Sequence, residues 1–147
     1  MKSVFHAIGR HVPFADLLGI TVAEHAPGRA RLELELRPEL MNSWKVAHGG
    51  VVMTLADIAL GVAVLTLARG AHGAMTIELK VSFLGPAKGR LAAEGRCLKA
   101  GKSLAFCEGE VLDGEGNVVA KALGTYRVRR GEGPGDAVDP GPAKLTP

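Results

Sequence analysis

A chain of 147 residues with 47% hydrophobic and 22% charged residues has the balance of one globular domain with one real core. Its formal net charge of +3 comes without an arginine-rich run or a basic-aromatic interleave. That gives no case for nucleic acid, though a local patch for an anionic ligand stays open. Two cysteines, Cys97 and Cys107, are too few for a disulfide framework, and the first ten residues hold no continuous apolar stretch. No signal peptide is read there, so the expected location is the cytoplasm.

Pro13 to Leu18 reads as a short helix with proline in the tolerated first turn, ended by Gly19. Ile20 to His25 follows as a strand, and Pro27-Gly28 as a turn. In Arg31-Leu32-Glu33-Leu34-Glu35-Leu36, charged and apolar residues alternate, which predicts a strand with one buried face; Pro38 breaks it. A loop carries Met41, Asn42, Ser43 and Trp44 to His48. From Gly49 to about Arg69 the pattern predicts a helix, closed by Gly70-Ala71-His72-Gly73. Ile77, Leu79, Val81 and Phe83 then alternate with Glu78, Lys80 and Ser82, a strand stopped by Gly85-Pro86. Two further strands, Arg90 to Leu98 and Ser103 to Leu112, are joined by a tight turn over Lys99 to Lys102. Asp113-Gly114-Glu115-Gly116-Asn117 is a second hairpin signal, before a last strand from Val118 to Arg129. Residues 131–147 are rich in Gly, Pro, Ala and Asp and lack periodicity, so they are expected to form a disordered tail behind a domain of residues 1–130.

The apolar run from Val51 to Ala68 has about the length of a bilayer span. Asp57 near its centre would cost roughly 2.5–3.5 kcal/mol to insert, and amphipathic strands flank it, so a core helix is the better reading. A helix apolar on nearly all sides must be wrapped. The antiparallel strands supply an α+β fold around one long central helix, and a second copy of the chain is expected to cover the remainder. A charge is costly to bury unless it is paired or used. This makes Asp57, just after His48-Gly49-Gly50, the candidate reactive group.

The strand order with the pattern N-x5-HGG-x6-D resembles the hotdog-fold thioesterases, and within them the phenylacetate-pathway (PaaI-like) acyl-CoA thioesterases. The matching residues are Asn42, His48-Gly49-Gly50 and Leu55-Ala56-Asp57, with Phe14-Ala15-Asp16-Leu17-Leu18-Gly19-Ile20 and Gly101-Lys102-Ser103-Leu104-Ala105-Phe106 on either side. The likeness spans about residues 12–130. It implies an acyl-CoA substrate, no cofactor beyond the coenzyme A that is part of that substrate, and a homotetramer built as a dimer of dimers. It also implies that Asp57 is the acid and Gly49 the oxyanion-hole amide, with Asn42 and Thr76 assisting. Asp rather than the Glu of hydroxybenzoyl- and naphthoyl-CoA hydrolases favours the PaaI-like branch.

Thioester hydrolysis needs an attacking oxygen and a place for the carbonyl's developing charge. A helix N-terminus offers unpaired N–H groups and the positive end of a dipole, and glycine lets a carbonyl approach closely. The Gly49 amide, with Gly50 as a second donor, suits that task. Asp57 lies eight residues beyond Gly49, roughly 12 Å along one helix. One carbonyl cannot touch both, so Asp57 is expected to work with Gly49 of a second subunit across antiparallel helices. It would act as general base on water or as a nucleophile forming an acyl-enzyme anhydride; both stay open. His48 reads as a helix cap or substrate orienter, and Asn42 as a holder of water or thioester or as a shaper of the loop. Strict alternation puts Thr76 opposite Ile77, on the polar face of its strand. Lys99, Lys102 and Ser103 flank a turn whose charges and amides suit coenzyme A phosphates, with Lys88 and Arg90 nearby. Trp44 and Met41 fit either an acyl pocket or the core. His6, His11, His25 and His72 show no metal-ligand spacing. A hotdog dehydratase or hydratase and a non-catalytic acyl-CoA-binding protein are the competing readings, and the placement of Asp57 favours hydrolysis. The acyl group is left open between aromatic, phenylacetyl-type and medium-chain.

Overall fold

The computed structural model describes residues 11–67 and 71–130. Helix α1 (Pro13–Leu18) ends at Gly19, whose left-handed φ of 77° lets its N–H return to Asp16. Strands β1 (Thr21–Ala26) and β2 (Arg29–Glu35) form a hairpin, and a single 3-10 turn (Pro38–Leu40) follows within the expected loop. Helix α2 (Gly49–Leu67) leads to β3 (Ala71–Phe83), β4 (Arg90–Ala100), β5 (Leu104–Leu112) and β6 (Val118–Arg130). All pairings are antiparallel, in the order β1-β2-β4-β5-β6-β3. The sheet wraps α2 and carries β3 to its far edge, the expected α+β hotdog arrangement.

The alternation in β2 works as predicted: Ala30, Leu32 and Leu34 are buried, while Arg31, Glu33 and Glu35 lie on the other face. Nine of the 19 residues of α2 are buried within this chain, among them Val52, Leu55, Ala59, Val62 and Ala63. The helix is long and apolar enough to cross a membrane, but it packs against β2, β3, β4 and β5 as a core helix. Its seat is a floor of glycines. A Cβ on Gly95 would stand 2.8 Å from the Ala59 carbonyl, and one on Gly109 2.9 Å from Leu60 Cδ2. One on Gly124 would stand 3.1 Å from Leu60 Cδ1. At Gly95 glycine lets the helix backbone approach the sheet closely, whereas at Gly109 the tightest neighbour is the Glu94 carbonyl of β4 (2.5 Å) and at Gly124 it is Tyr126 Cε2 (2.7 Å).

Several expectations need correction. The segment read as closing the helix is already strand, since Ala71 pairs with Arg130 and Ala74 with Val128. The alternation in β3 is interrupted: Thr76 pairs with Tyr126 and Glu78 with Thr125, leaving Ile77 as a bulge, 55% exposed. Thr76 therefore sits on the helix side of the sheet, not the polar face. Lys99 and Ala100 still belong to β4, so the turn is confined to Gly101–Ser103. The helix end through Arg69 and the expected tail, residues 131–147, lie outside the described residues.

Candidate active site

The approach to α2 is a braced loop. Asn42 Oδ1 accepts the N–H groups of Trp44 (2.9 Å) and Val46 (3.4 Å), and Lys45 adopts a φ of 60°. Further on, the Ala47 N–H donates to the Ala87 carbonyl (2.8 Å) and the His48 N–H to the Leu40 carbonyl (2.9 Å). The loop-shaping role of Asn42 is thus present, and it leaves the side-chain NH2 as the group Asn42 can offer a ligand. Trp44 is 83% exposed, so it is no part of the core of this chain.

His48 caps the helix twice. Its carbonyl accepts from Val51 (2.9 Å) and Val52 (3.3 Å), and its Nδ1 accepts the Gly50 N–H at 2.9 Å. An Nδ1 that accepts places the proton of the neutral ring on Nε2. The Gly50 amide, expected as a second oxyanion donor, is committed to this cap. The Gly49 N–H has no acceptor among the described residues. The ring of Phe83 lies beside it, 3.4 Å from where a Gly49 Cβ would be.

Asp57 lies on the stripe of α2 that the sheet leaves partly open, with Met53, Ile58 and Gly61. It is half-buried, where the apolar run suggested full enclosure. Thr76 Oγ1 donates to Asp57 Oδ1 at 2.8 Å. The Tyr126 hydroxyl stands 2.8 Å from the same oxygen and 3.0 Å from the backbone carbonyl of Asp57. Tyr126 is 1% exposed. Burial, and then the neighbouring Asp57 carboxylate, push its phenol well above the usual range, so it serves as a donor and not as a base. Among the described residues, Oδ2 of Asp57 accepts no hydrogen bond.

Tyr126 is the residue beside the candidate acid that sequence reasoning missed. A signal existed: it is the single tyrosine of the chain and alternates with Ala122, Gly124 and Val128, the apolar face of the last strand. A buried phenol must find a partner.

Gly49 and Asp57 do not meet within one chain. Gly49 lies against Phe83 and Asp57 against Thr76, seven residues apart on β3, or about 23 Å of extended strand. Lys99, Lys102 and Ser103 are exposed at the β4–β5 turn, where the Gly101 N–H meets the Leu104 carbonyl (2.7 Å) and the Ser103 carbonyl accepts from Val128 (2.8 Å). Among the described residues, none of the three is hydrogen-bonded to Asp57, Thr76 or Tyr126. Arg90 is ion-paired to Glu33 and holds that carboxyl below its usual range, so it is not an idle cation. A trough of about 820 Å³ is lined by Arg31, Glu94, Arg96, Glu108, Glu110 and Lys121. Its charges pair between directly opposed residues of neighbouring strands, Arg31 with Glu94, Arg96 with Glu108 and Lys121 with Glu110, and neither Asp57 nor Gly49 borders it.

Residues 45–120 match the model of the Thioesterase superfamily. The chain is 32% identical to human acyl-coenzyme A thioesterase 13 over 109 residues, covering 72% of this chain and 77% of that protein. It is 28% identical to the medium/long-chain acyl-CoA thioesterase YigI of Escherichia coli K12 over 144 residues, covering 87% and 93%. Among solved structures, a mutant of the phenylacetic acid degradation protein PaaI from Thermus thermophilus superposes with a TM-score of 0.72 at 30% identity, covering 79% of this chain and 98% of that one.

Proposed function

The chain belongs to the thioesterase superfamily, among its PaaI-like members, and on that premise we propose that it hydrolyses an acyl-CoA thioester to free acid and coenzyme A with Asp57 as the reactive carboxylate. The observation that carries this reading is the half-buried Asp57 on the open stripe of α2, with Oδ1 held by hydroxyls and Oδ2 unengaged among the described residues. Oδ2 takes a proton from the attacking water, or attacks the carbonyl carbon itself.

The carbonyl oxygen is received by the Gly49 amide of a partner subunit. A single oxyanion donor is worth roughly 2.7–4 kcal/mol in other hydrolases. His48 holds this helix start in shape through Gly50, and the Asn42 NH2 reaches toward the thioester or its water. Thr76 orients the acid. Lys99, Lys102 and Ser103 meet the phosphates of coenzyme A. Antiparallel packing of two α2 helices through their open stripes brings each Asp57 to the opposite Gly49, so the dimer is required and carries two sites; a pair of dimers makes the tetramer. A carboxylate and water complete this chemistry with no metal and no cofactor beyond the substrate's own coenzyme A. The cytoplasm, which holds the acyl-CoA pool, is its place of action.

The names of similar proteins point to different acyl groups: medium or long chain for YigI, phenylacetic acid degradation for PaaI. A thiol-release assay on phenylacetyl-, benzoyl-, octanoyl- and palmitoyl-CoA, with Asp57→Asn beside the wild type, tests both points. Release by the wild type is expected, strongest on the aryl or medium-chain esters, with a loss of at least about 100-fold in Asp57→Asn. Activity above about a tenth of wild type in that variant would remove Asp57 from the chemistry. A wild type inert on every ester would overturn the hydrolase reading.

A further inference from the structure

We propose that Tyr126 is a positioning residue that fixes the Asp57 carboxylate in one orientation, so that Oδ2 alone is presented for reaction; this rests on the hydrolase reading above. A free carboxylate has two equivalent oxygens, and its terminal torsion is soft and nearly two-fold. Here Thr76 and Tyr126 both place hydroxyls 2.8 Å from Oδ1. An ionised carboxylate only accepts, and hydrogen bonds to a charged acceptor are the stronger kind. Turning the group would exchange Oδ1 for Oδ2 only by breaking both bonds at once.

The ring is itself held. A Cβ on Gly124 would stand 2.7 Å from Tyr126 Cε2 and 3.3 Å from its hydroxyl, and one on Gly61 would stand 3.7 Å from Cε1. Gly61 lies one helical turn past Asp57 on the same stripe. The phenol thus occupies a slot between a glycine of β6 and a glycine of α2, and a larger residue at Gly124 would displace it. The bulge at Ile77 completes the device, because it sets Thr76 directly across from Tyr126 and makes the two hydroxyls converge. Kept neutral by burial, the phenol stays a donor throughout turnover.

A purely structural tyrosine would matter through its ring. Tyr126→Phe keeps the ring and removes the hydroxyl. The expected result is a kcat lowered by at least about tenfold, with KM within about threefold of wild type and an unchanged thermal midpoint. Should Tyr126→Phe fold poorly, the half of the clamp on exposed Thr76 gives the same readout: Thr76→Val should lower kcat with little change in KM, and Thr76→Ser, which keeps the hydroxyl, should restore it. Wild-type kcat in Tyr126→Phe, while Asp57→Asn is inactive, overturns the positioning role and leaves the hydrolase reading intact. A KM effect without a kcat effect also overturns it. Activity above about a tenth of wild type in Asp57→Asn removes Asp57 from the chemistry and with it the positioning role, and a wild type inert on every ester overturns the hydrolase reading as well.

Discussion

The His48 side chain satisfies one amide at the start of α2, that of Gly50, through Nδ1, while its carbonyl, which any residue would supply, accepts two more, so loss of the ring should register first as stability. His48→Ala is expected to lower the free energy of unfolding by about 0.5–2 kcal/mol, the usual range for a lost cap, read by urea titration. Its kcat should fall less than that of Asp57→Asn. Asp113 shows a pH-linked contact. Its carboxylate accepts from the Asn117 side chain and from the backbone of Asn117 and Glu115, which holds its pKa below the usual value. A depressed folded pKa stabilises above the unfolded value of about 3.9, and that contribution vanishes as pH falls through the folded value. The stability gap between wild type and Asp113→Ala should therefore be larger at pH 6 than at pH 2.5; an equal gap would show that the carboxylate's charge does not matter there. Of the site residues, Asp57 and His48 were legible as types in an apolar context. Their partners were not: Tyr126 lies 69 residues from Asp57 along the chain, and no local pattern joins them.

At the scale of elements, α2 and the sheet meet through glycines, and this sets a sharp expectation. Gly95→Ala puts a methyl 2.8 Å from the Ala59 backbone carbonyl, where no flexible side chain can yield. Overpacking of this kind costs typically about 1–3 kcal/mol. Gly85, with nothing within 4 Å of its would-be Cβ, is the control, and Gly85→Ala should be close to neutral by thermal denaturation. Glycine inside a strand pattern is a readable mark of close approach, but what approaches is not. The same limit applies to β3. The alternation from Ile77 to Phe83 announced a strand, yet pairing with β6 sets its phase, and one extra residue turned Thr76 toward the helix. A slip of one residue exchanges the two faces of a strand, so the position of Thr76 followed from the register of a neighbour some 50 residues away.

For the whole molecule, the separation of Gly49 from Asp57 makes a two-chain site directly testable. Gly49→Pro removes the amide at a helix position that tolerates proline. Gly49→Pro and Asp57→Asn should each be inactive alone. Mixed by co-refolding, they should recover about a quarter of wild-type activity, because half the dimers are mixed and each mixed dimer holds one intact site of two. No recovery from demonstrably mixed dimers would overturn the two-chain site. The amino-acid sequence by itself determined the long apolar helix, the strands around it, the lone acid and the glycine start, because these are properties of consecutive residues: periodicity, spacing and composition. Only the tertiary structure decided which first-turn amide is unclaimed, which oxygen of Asp57 is pinned and which face Thr76 presents. Those depend on which donors and acceptors satisfy one another across strands and between helix and sheet, and that matching exists only once distant segments have packed.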